Sequence, residues 1–176
     1  LVIEIEDNIF FQIFVVDPSQ KETRDLLQYA LKFYAHEIPV RLGVVFVAND
    51  EKEISGFDDT SVAMLNLYNF VKINDGIQQA MNVLIEVKNS QIFFDGLIPI
   101  PCFVLKQESI SPKNILSYFQ KNYPDHDPND VFGSNSDYDT GRSTGYKFLR
   151  DSGLGLTPKV LLNGIVLDDS GVSLLP

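Results

Sequence analysis

The stretch "GLTPKVLLNG", residues 155–164, decides the fold of this chain. A proline opens a short apolar run, and Asn163–Gly164 closes it. Asn and Gly tolerate the positive φ angles that a type I′ turn requires. The pattern therefore predicts a β-hairpin in which strand 159–162 pairs with strand 165–167.

Two further strands and a helix are predicted upstream of this hairpin. The continuous apolar run "FFQIFVV" (10–16) is typical of a central strand that is covered on both faces. Residues 17–37 have helical spacing, and two signals compete for the helix start: Asp17 with Pro18 at the first helical position, or Ser19 with Glu22 as a capping box. Residues 38–50, "IPVRLGVVFVAND", return to strand character. Strand, helix, strand over this length predicts two parallel neighbours, the first half of an α/β sandwich.

The middle of the chain is predicted to be helical. Ranges 60–72, 75–87 and 111–124 carry apolar residues at helical spacing, and Ser111 and Pro112 mark the start of the last of them. Between the helices lies the apolar segment 92–105, which glycine and proline interrupt; it is either a loop packed on the core or an exposed flap. Residues 124–141 are expected to form a polar, turn-rich linker. A short helix over 142–153 follows, with Gly153 at its C-cap.

Length and composition limit the classes of function and partner that the chain can have. The chain has 176 residues and 44% hydrophobic residues, enough for one domain with a real core. Its formal net charge is −10 and its basic residues are scattered, which excludes nucleic acid and anionic lipid as main partners. No apolar run reaches the length that crosses a bilayer. The start at Leu1 shows no signal pattern, so we expect a fragment of a larger chain.

The order of these elements resembles the thioredoxin-like fold with a helical subdomain inserted between the first strand-helix-strand unit and the final hairpin. We therefore expect an α/β domain over 1–176, with a core at about 9–57 and 140–170 and an insertion at about 58–139. In that family the proline before the third core strand is cis, and Pro158 occupies the matching position.

The redox motif of that family is absent. Where a Cys-x-x-Cys motif would stand, this sequence has Asp17, Pro18, Ser19 and Gln20. Neither a carboxylate nor a serine hydroxyl replaces the thiolate nucleophile of disulfide exchange. The chain has one cysteine, Cys102, which is read as a small buried apolar residue or as the partner of a thiol elsewhere. The sequence thus predicts a redox-inactive scaffold.

Three phrases carry a closer resemblance: "VVDP" (15–18), "IPVRLGVVFVAND" (38–50) and "GYKFLRDSGLGLTPKVLLNG" (145–164). Together, in this order, they resemble the UDP-glucose:glycoprotein glucosyltransferases, whose sensor region contains several redox-inactive thioredoxin-like domains; the match is to the third. The resemblance covers 10–50 and 114–168. Segments 1–8 and 91–109 depart from the family pattern.

This resemblance implies a function. The parent enzymes transfer glucose from UDP-glucose to high-mannose N-glycans of misfolded glycoproteins in the lumen of the endoplasmic reticulum. Their transferase domain, with UDP-glucose and a divalent metal such as calcium, lies elsewhere in the parent. The fragment itself is then expected to be non-catalytic, with no cofactor or metal of its own. Its partners would be misfolded glycoproteins and the neighbouring domains of the parent, with no nucleic acid and no membrane.

A surface that recognises misfolded clients must offer apolar side chains to varied sequences. The broken apolar segment supplies the candidates, with Phe57 as a weaker one outside it. The candidate client contacts are Phe93, Phe94, Leu97, Ile98, Ile100, Phe103 and Phe57. The alternative for each is burial in the core.

Several other motifs are weaker. Asp125-x-Asp127-x-Asn129 begins like a calcium loop but lacks the required Gly and the bidentate Glu, so a solvated acidic turn is favoured. Asp-x-Asp pairs at 125/127 and 137/139 follow no predicted strand. Neither His36 nor His126 has a partner at ligand spacing.

Two alternative functions stay open. One is a stand-alone, redox-inactive chaperone or adaptor that resembles the disulfide isomerases. The other is an enzyme that uses the cleft near the proline as glutathione transferases do, for which Ser19 is the available side chain at the helix start. A capping role for Ser19 is the simpler explanation of that residue.

Overall fold

A computed structural model describes residues 2–3, 10–36, 38–90 and 110–167, with the backbone alone at 2–3 and 88–90. Its elements confirm the predicted α/β thioredoxin-like fold with a helical insertion. They are, in chain order, β1 (Val2–Ile3), β2 (Phe10–Val16), α1 (Lys21–Ala35), β3 (Val40–Phe46), α2 (Thr60–Asp75), α3 (Ile77–Ser90), α4 (Pro112–Asn122), α5 (Pro128–Phe132), α6 (Arg142–Ser152), β4 (Lys159–Leu162) and β5 (Ile165–Leu167).

The chain forms two compact units. One consists of Leu1–Asp50 together with Gly141–Pro176, and the other of Glu51–Thr140. The first unit contains all the strands listed above with α1 and α6, and the second contains α2 to α5. The assignment of 1–176 to a single domain stays a prediction.

The sheet of the first unit has the strand order β1-β3-β2-β4-β5. β2 is central, as its apolar run predicted, and it pairs in parallel with β3 and antiparallel with β4. The predicted hairpin is confirmed: β4 pairs with β5 through Val160↔Leu167 and Leu162↔Ile165. β1, which pairs antiparallel with β3, was not predicted, because two residues are too few to show a strand period.

One apolar cluster joins α6 to the sheet. Val15, Val47 and Leu161 are buried at its centre, and Phe148 and Leu149 of α6 pack against them. α6 lies close to the sheet because residue 145 is glycine: a β-carbon there would be 1.9 Å from the carbonyl oxygen of Phe46. α6 ends as predicted, at Gly153 in the left-handed conformation with φ of 66°.

The β4–β5 turn is fastened to the central strand. Asn163 has φ of 51° and Gly164 has φ of 84°, so both positions need residues that tolerate the left-handed region. The backbone N–H of Asn163 donates to the carbonyl of Phe11 at 2.7 Å, and Asn163 Oδ1 accepts from the backbone N–H of Phe11, also at 2.7 Å. Asn163 therefore forms hydrogen bonds with both the backbone N–H and the backbone carbonyl of Phe11 on β2.

The second unit is a helical bundle around α2, ten of whose residues are buried. Part of the predicted polar linker 124–141 belongs to it, so that prediction was wrong for 128–132. Asp127 caps α5 by accepting from the backbone N–H of Asn129 at 2.9 Å, and Val131 and Phe132 of α5 are buried. The buried Asn66 side chain of α2 donates to the carbonyl of Val131 at 3.0 Å. Burial of two apolar side chains against the bundle accounts for a helix where the local sequence is polar.

Candidate functional site

The loop between β2 and α1 consists of residues 17–20, which stand where related proteins have their Cys-x-x-Cys motif. β2 ends at Val16 and α1 begins at Lys21, so residues 17–20 form the whole connection. Asp17 Oδ1 accepts from the backbone N–H of Ser19 at 2.8 Å and from its hydroxyl at 2.7 Å. A carboxylate thus lies next to the first turn of α1, where the exposed N–H groups favour negative charge.

The predicted caps of α1 were wrong. The N-cap residue is Gln20, and its side chain makes no capping bond to the helix. Neither Asp17 with Pro18 nor Ser19 with Glu22 starts the helix, because Asp17 and Ser19 bond each other in a turn before it. The buried Thr23 side chain ties that turn to the helix by donating to the carbonyl of Asp17 at 2.5 Å.

The proline turn faces the same loop. The Thr157–Pro158 peptide bond is cis. Thr157 Oγ1 donates to Gln20 Oε1 at 3.3 Å, which links the residue before the proline to the residue before α1. This contact was not predicted, since the two residues are 137 positions apart and neither belongs to a local motif.

The chemistry available at this loop is limited. None of its four residues is a cysteine, and the Ser19 hydroxyl donates a hydrogen bond to the Asp17 carboxylate. A serine nucleophile needs a base that accepts its proton and is itself held in place by a third group. His36, the C-cap residue of α1, is at the other end of that helix from Ser19. The geometry favours a hydrogen-bonded structural turn over a nucleophilic centre.

Of the predicted client contacts, the described residues include only Phe57. Phe93, Phe94, Leu97, Ile98, Ile100 and Phe103 lie outside them, as does Cys102. Phe57 is 39% exposed, and its ring forms an edge-type contact with the buried Phe132 ring at a centroid distance of 6.1 Å. Phe57 is therefore an aromatic side chain half embedded in the helical unit, with a face open to solvent.

The loop that presents Phe57 is ordered by its neighbours. Asp58 Oδ2 accepts from the Ser55 hydroxyl at 2.5 Å and from the Ser55 backbone N–H at 3.2 Å. These bonds lower the pKa of Asp58 below its ordinary value, the side-chain bond most strongly. The backbone N–H of Phe57 donates to Ser55 Oγ at 3.2 Å. Such a network fixes the backbone on both sides of the aromatic side chain.

Two residues of the calcium-loop-like motif at 125–129 have structural roles. Asp127 caps α5, and the ring of His126 lies edge-on to Phe70 at a centroid distance of 4.9 Å. Among the described residues, no group of three or more His, Cys, Asp or Glu side chains is placed to hold a metal ion. Within the same ranges, no helix is both long enough and apolar enough to cross a membrane.

The central strand, the cis proline before a hairpin and the inserted helices define a thioredoxin-like protein. The family model for the thioredoxin-like domain matches residues 2–174, and the chain belongs to that family. Solved structures share the fold. The thiol-disulfide exchange protein alpha-DsbA2 from Wolbachia pipientis has a TM-score of 0.59 at 12% identity, over 97% of this chain and 81% of that one. The thiol-disulfide oxidoreductase MdbA from Corynebacterium diphtheriae has a TM-score of 0.54 at 10% identity, over 94% and 80%.

Closer sequence relatives are parts of much larger proteins. UDP-glucose:glycoprotein glucosyltransferase 1 from Homo sapiens is 30% identical over 162 residues, which is 92% of this chain and 10% of the relative. The UDP-glucose:glycoprotein glucosyltransferase from Drosophila melanogaster is 26% identical over 174 residues, again 10% of its length. The chain is homologous to a segment of these glucosyltransferases and spans about a tenth of their length.

Proposed function

We propose that this chain is a redox-inactive thioredoxin-like domain of a UDP-glucose:glycoprotein glucosyltransferase, and that it helps to recognise misfolded glycoproteins. Catalysis, with UDP-glucose and a divalent metal, belongs to another part of the parent chain. The domain works in the lumen of the endoplasmic reticulum beside neighbouring domains of the parent, and it is the third such domain of the sensor region.

The observation that carries this proposal is the loop at residues 17–20. The fold retains the cis Pro158 turn opposite the start of α1, but the Asp17 carboxylate and the Gln20 amide stand where the two thiols would be. Disulfide exchange requires attack by a thiolate, whose formation a helix N-terminus promotes. In this chain the loop before the helix N-terminus holds Asp17, whose carboxylate accepts two hydrogen bonds from Ser19. What the scaffold can still offer is a binding surface.

The described part of that surface is Phe57. A promiscuous recogniser needs apolar groups that stay accessible while their backbone is held, so that little conformational freedom is lost on binding. Phe57 meets both needs, because it is 39% exposed and Ser55 and Asp58 order its loop. The apolar segment 92–105 would extend the contact set.

The redox half of the proposal is tested by a thiol-disulfide exchange assay. The comparison uses three chains: the natural sequence, Cys102→Ser, and Asp17→Cys with Gln20→Cys in the Cys102→Ser background. The natural sequence and Cys102→Ser should reduce a disulfide substrate no faster than buffer does. The engineered pair should exceed that rate, because it places two thiols beside a helix N-terminus and the cis proline. Acceleration by the natural sequence would contradict redox inactivity.

A further inference from the structure

The turn between β4 and β5 carries a reactive pair that the proposed function does not use. Asn163 is followed by Gly164, and the sequence contains no other Asn-Gly pair. Both residues are exposed. Glycine presents no β-carbon to hinder its backbone nitrogen, so that nitrogen approaches the preceding side-chain amide more easily than at any other residue. Asparagine is among the thermolabile residues that hyperthermophilic proteins use less often.

We propose that Asn163 is a site of spontaneous deamidation that the pairing of β2 with β4 holds in check. The modification then accumulates in chains where this pairing has opened, and it marks them chemically. The inference is independent of the proposed function, because it needs only the turn and its contacts with Phe11.

The reaction is balanced with water as the one added reactant. The Gly164 backbone nitrogen gives up its proton and forms a bond to Cγ of Asn163. The bond from Cγ to Nδ2 breaks, Nδ2 leaves as ammonia, and a five-membered imide remains. Water then opens the ring at either carbonyl and leaves aspartate or isoaspartate. No group is oxidised or reduced, and either product adds one negative charge to a chain whose formal net charge is −10.

The folded sheet opposes the first step. The attack requires the Asn163 side chain and backbone to rotate toward each other, and two bonds to Phe11 prevent that rotation. Asn163 Oδ1 accepts from the Phe11 N–H at 2.7 Å, and the Asn163 N–H donates to the Phe11 carbonyl at 2.7 Å. Both must break before the imide can form, so the reactive species is the locally opened hairpin.

The two products differ in what they do to the sheet. Aspartate keeps an oxygen acceptor at the same place and can still bond the Phe11 N–H. Isoaspartate routes the main chain through the side-chain carbon, which lengthens the turn by one bond. The next residue pair along the ladder is Gln12↔Leu162, so isoaspartate weakens β4 where it meets the central strand.

The test follows the modification in the intact 176-residue chain at mildly alkaline pH, by mass spectrometry of the peptide that contains Asn163. The folded chain should deamidate at least about tenfold more slowly than the same chain in urea, since two hydrogen bonds must open first. The control is Gly164→Ala measured in urea, where folding plays no part. It should slow the reaction, because the added β-carbon hinders the attacking nitrogen. Equal rates in the folded and unfolded chains would overturn the proposal.

A second measurement separates opening of the hairpin from solvent access alone. Hydrogen exchange of the Phe11 amide reports the opening of its bond to Asn163 Oδ1. In a chain whose β2–β4 ladder is weakened by Phe14→Ala, which removes the buried side chain paired with Val160, Phe11 exchange and Asn163 deamidation should rise by similar factors. If exchange rises and deamidation does not, the hydrogen bonds do not control the reaction and the proposal fails.

Discussion

Asn163 shows how one residue can serve a turn and a strand together. Its left-handed backbone, at φ of 51°, suits the β4–β5 turn, and its side chain takes the place of a strand residue by accepting from Phe11. An asparagine combines these properties, since its short side chain tolerates the left-handed region and carries an acceptor. The Asn-Gly pattern predicted the turn, whereas the bond to Phe11 depends on tertiary structure.

Substitution of Asn163 separates the two contributions. Asn163→Ala should lower the free energy of unfolding by about 2 kcal/mol, about half from the lost hydrogen bond and half from a β-carbon in the left-handed region. Asn163→Gly loses the bond but accepts the backbone angle, so it should cost less. Urea titration followed by circular dichroism measures both. Equal losses in the two variants would show that the backbone angle contributes nothing.

At the scale of elements, the fold predictable from sequence is the part with local signals. The hairpin and the end of α6 were predicted because Pro158, Asn163 and Gly153 each act within a few residues. α5 was missed because its burial depends on contacts with α2, including the bond from Asn66 to Val131. The start of α1 was predicted at the wrong residue because Asp17 and Ser19 satisfy each other instead of the helix.

The candidate site was likewise predictable only where its residues are adjacent in the chain. The four residues of the β2–α1 loop, none of which is a cysteine, could be read directly from the sequence. The cis Pro158 was predicted from the family resemblance. The contact between Thr157 and Gln20 was not predictable, because it depends on how α6 returns the chain to the sheet. The apolar client candidates in 92–105 stay a prediction.

The packing of α6 on β3 predicts an unusual effect of alanine in a helix. Glycine to alanine in a helix interior normally stabilises by up to about 1 kcal/mol. Gly145→Ala should instead destabilise by about 1–3 kcal/mol, because its β-carbon would be 1.9 Å from the Phe46 carbonyl oxygen. The matched control is Thr144→Ala, one position away on the exposed face, which should be nearly neutral. Thermal unfolding of the three chains decides the matter, and a stabilised Gly145→Ala would refute the close contact.

The contact of Tyr123, the C-cap residue of α4, with Asp75 at the end of α2 lowers stability at alkaline pH. Burial, with the nearby Asp75 charge and hydrogen bond, raises the pKa of Tyr123 from 10.0 to about 12. The unfolded chain therefore loses this proton first as the pH rises above 10, so stability falls between pH 10 and 12. Tyr123→Phe cannot ionise and should show a shallower loss over that window. The measurement is the unfolding midpoint of both chains from pH 9 to 12, and identical slopes of midpoint against pH would contradict the raised pKa of Tyr123.

At the scale of the whole molecule, the chain keeps the thioredoxin-like framework and lacks its thiol pair. Its formal net charge of −10 opposes association with polyanions, and the exposed Phe57 is among the apolar groups that the proposed binding of misfolded chains would use. Binding without catalysis is the activity that we propose from these features, for a chain that spans about a tenth of the length of its glucosyltransferase relatives.

The most direct test measures binding of the chain to the native and misfolded forms of one glycoprotein. The variants are Phe93→Ser with Phe94→Ser and Leu97→Ser, and separately Phe57→Ser. Ile73→Ser is the matched control, since Ile73 is an exposed apolar residue of α2 outside the candidate set. Circular dichroism confirms that each variant remains folded. The account predicts selective binding of the misfolded form, weakened in the first two variants and unchanged in Ile73→Ser. Equal binding of the native and misfolded forms by the natural sequence would contradict it.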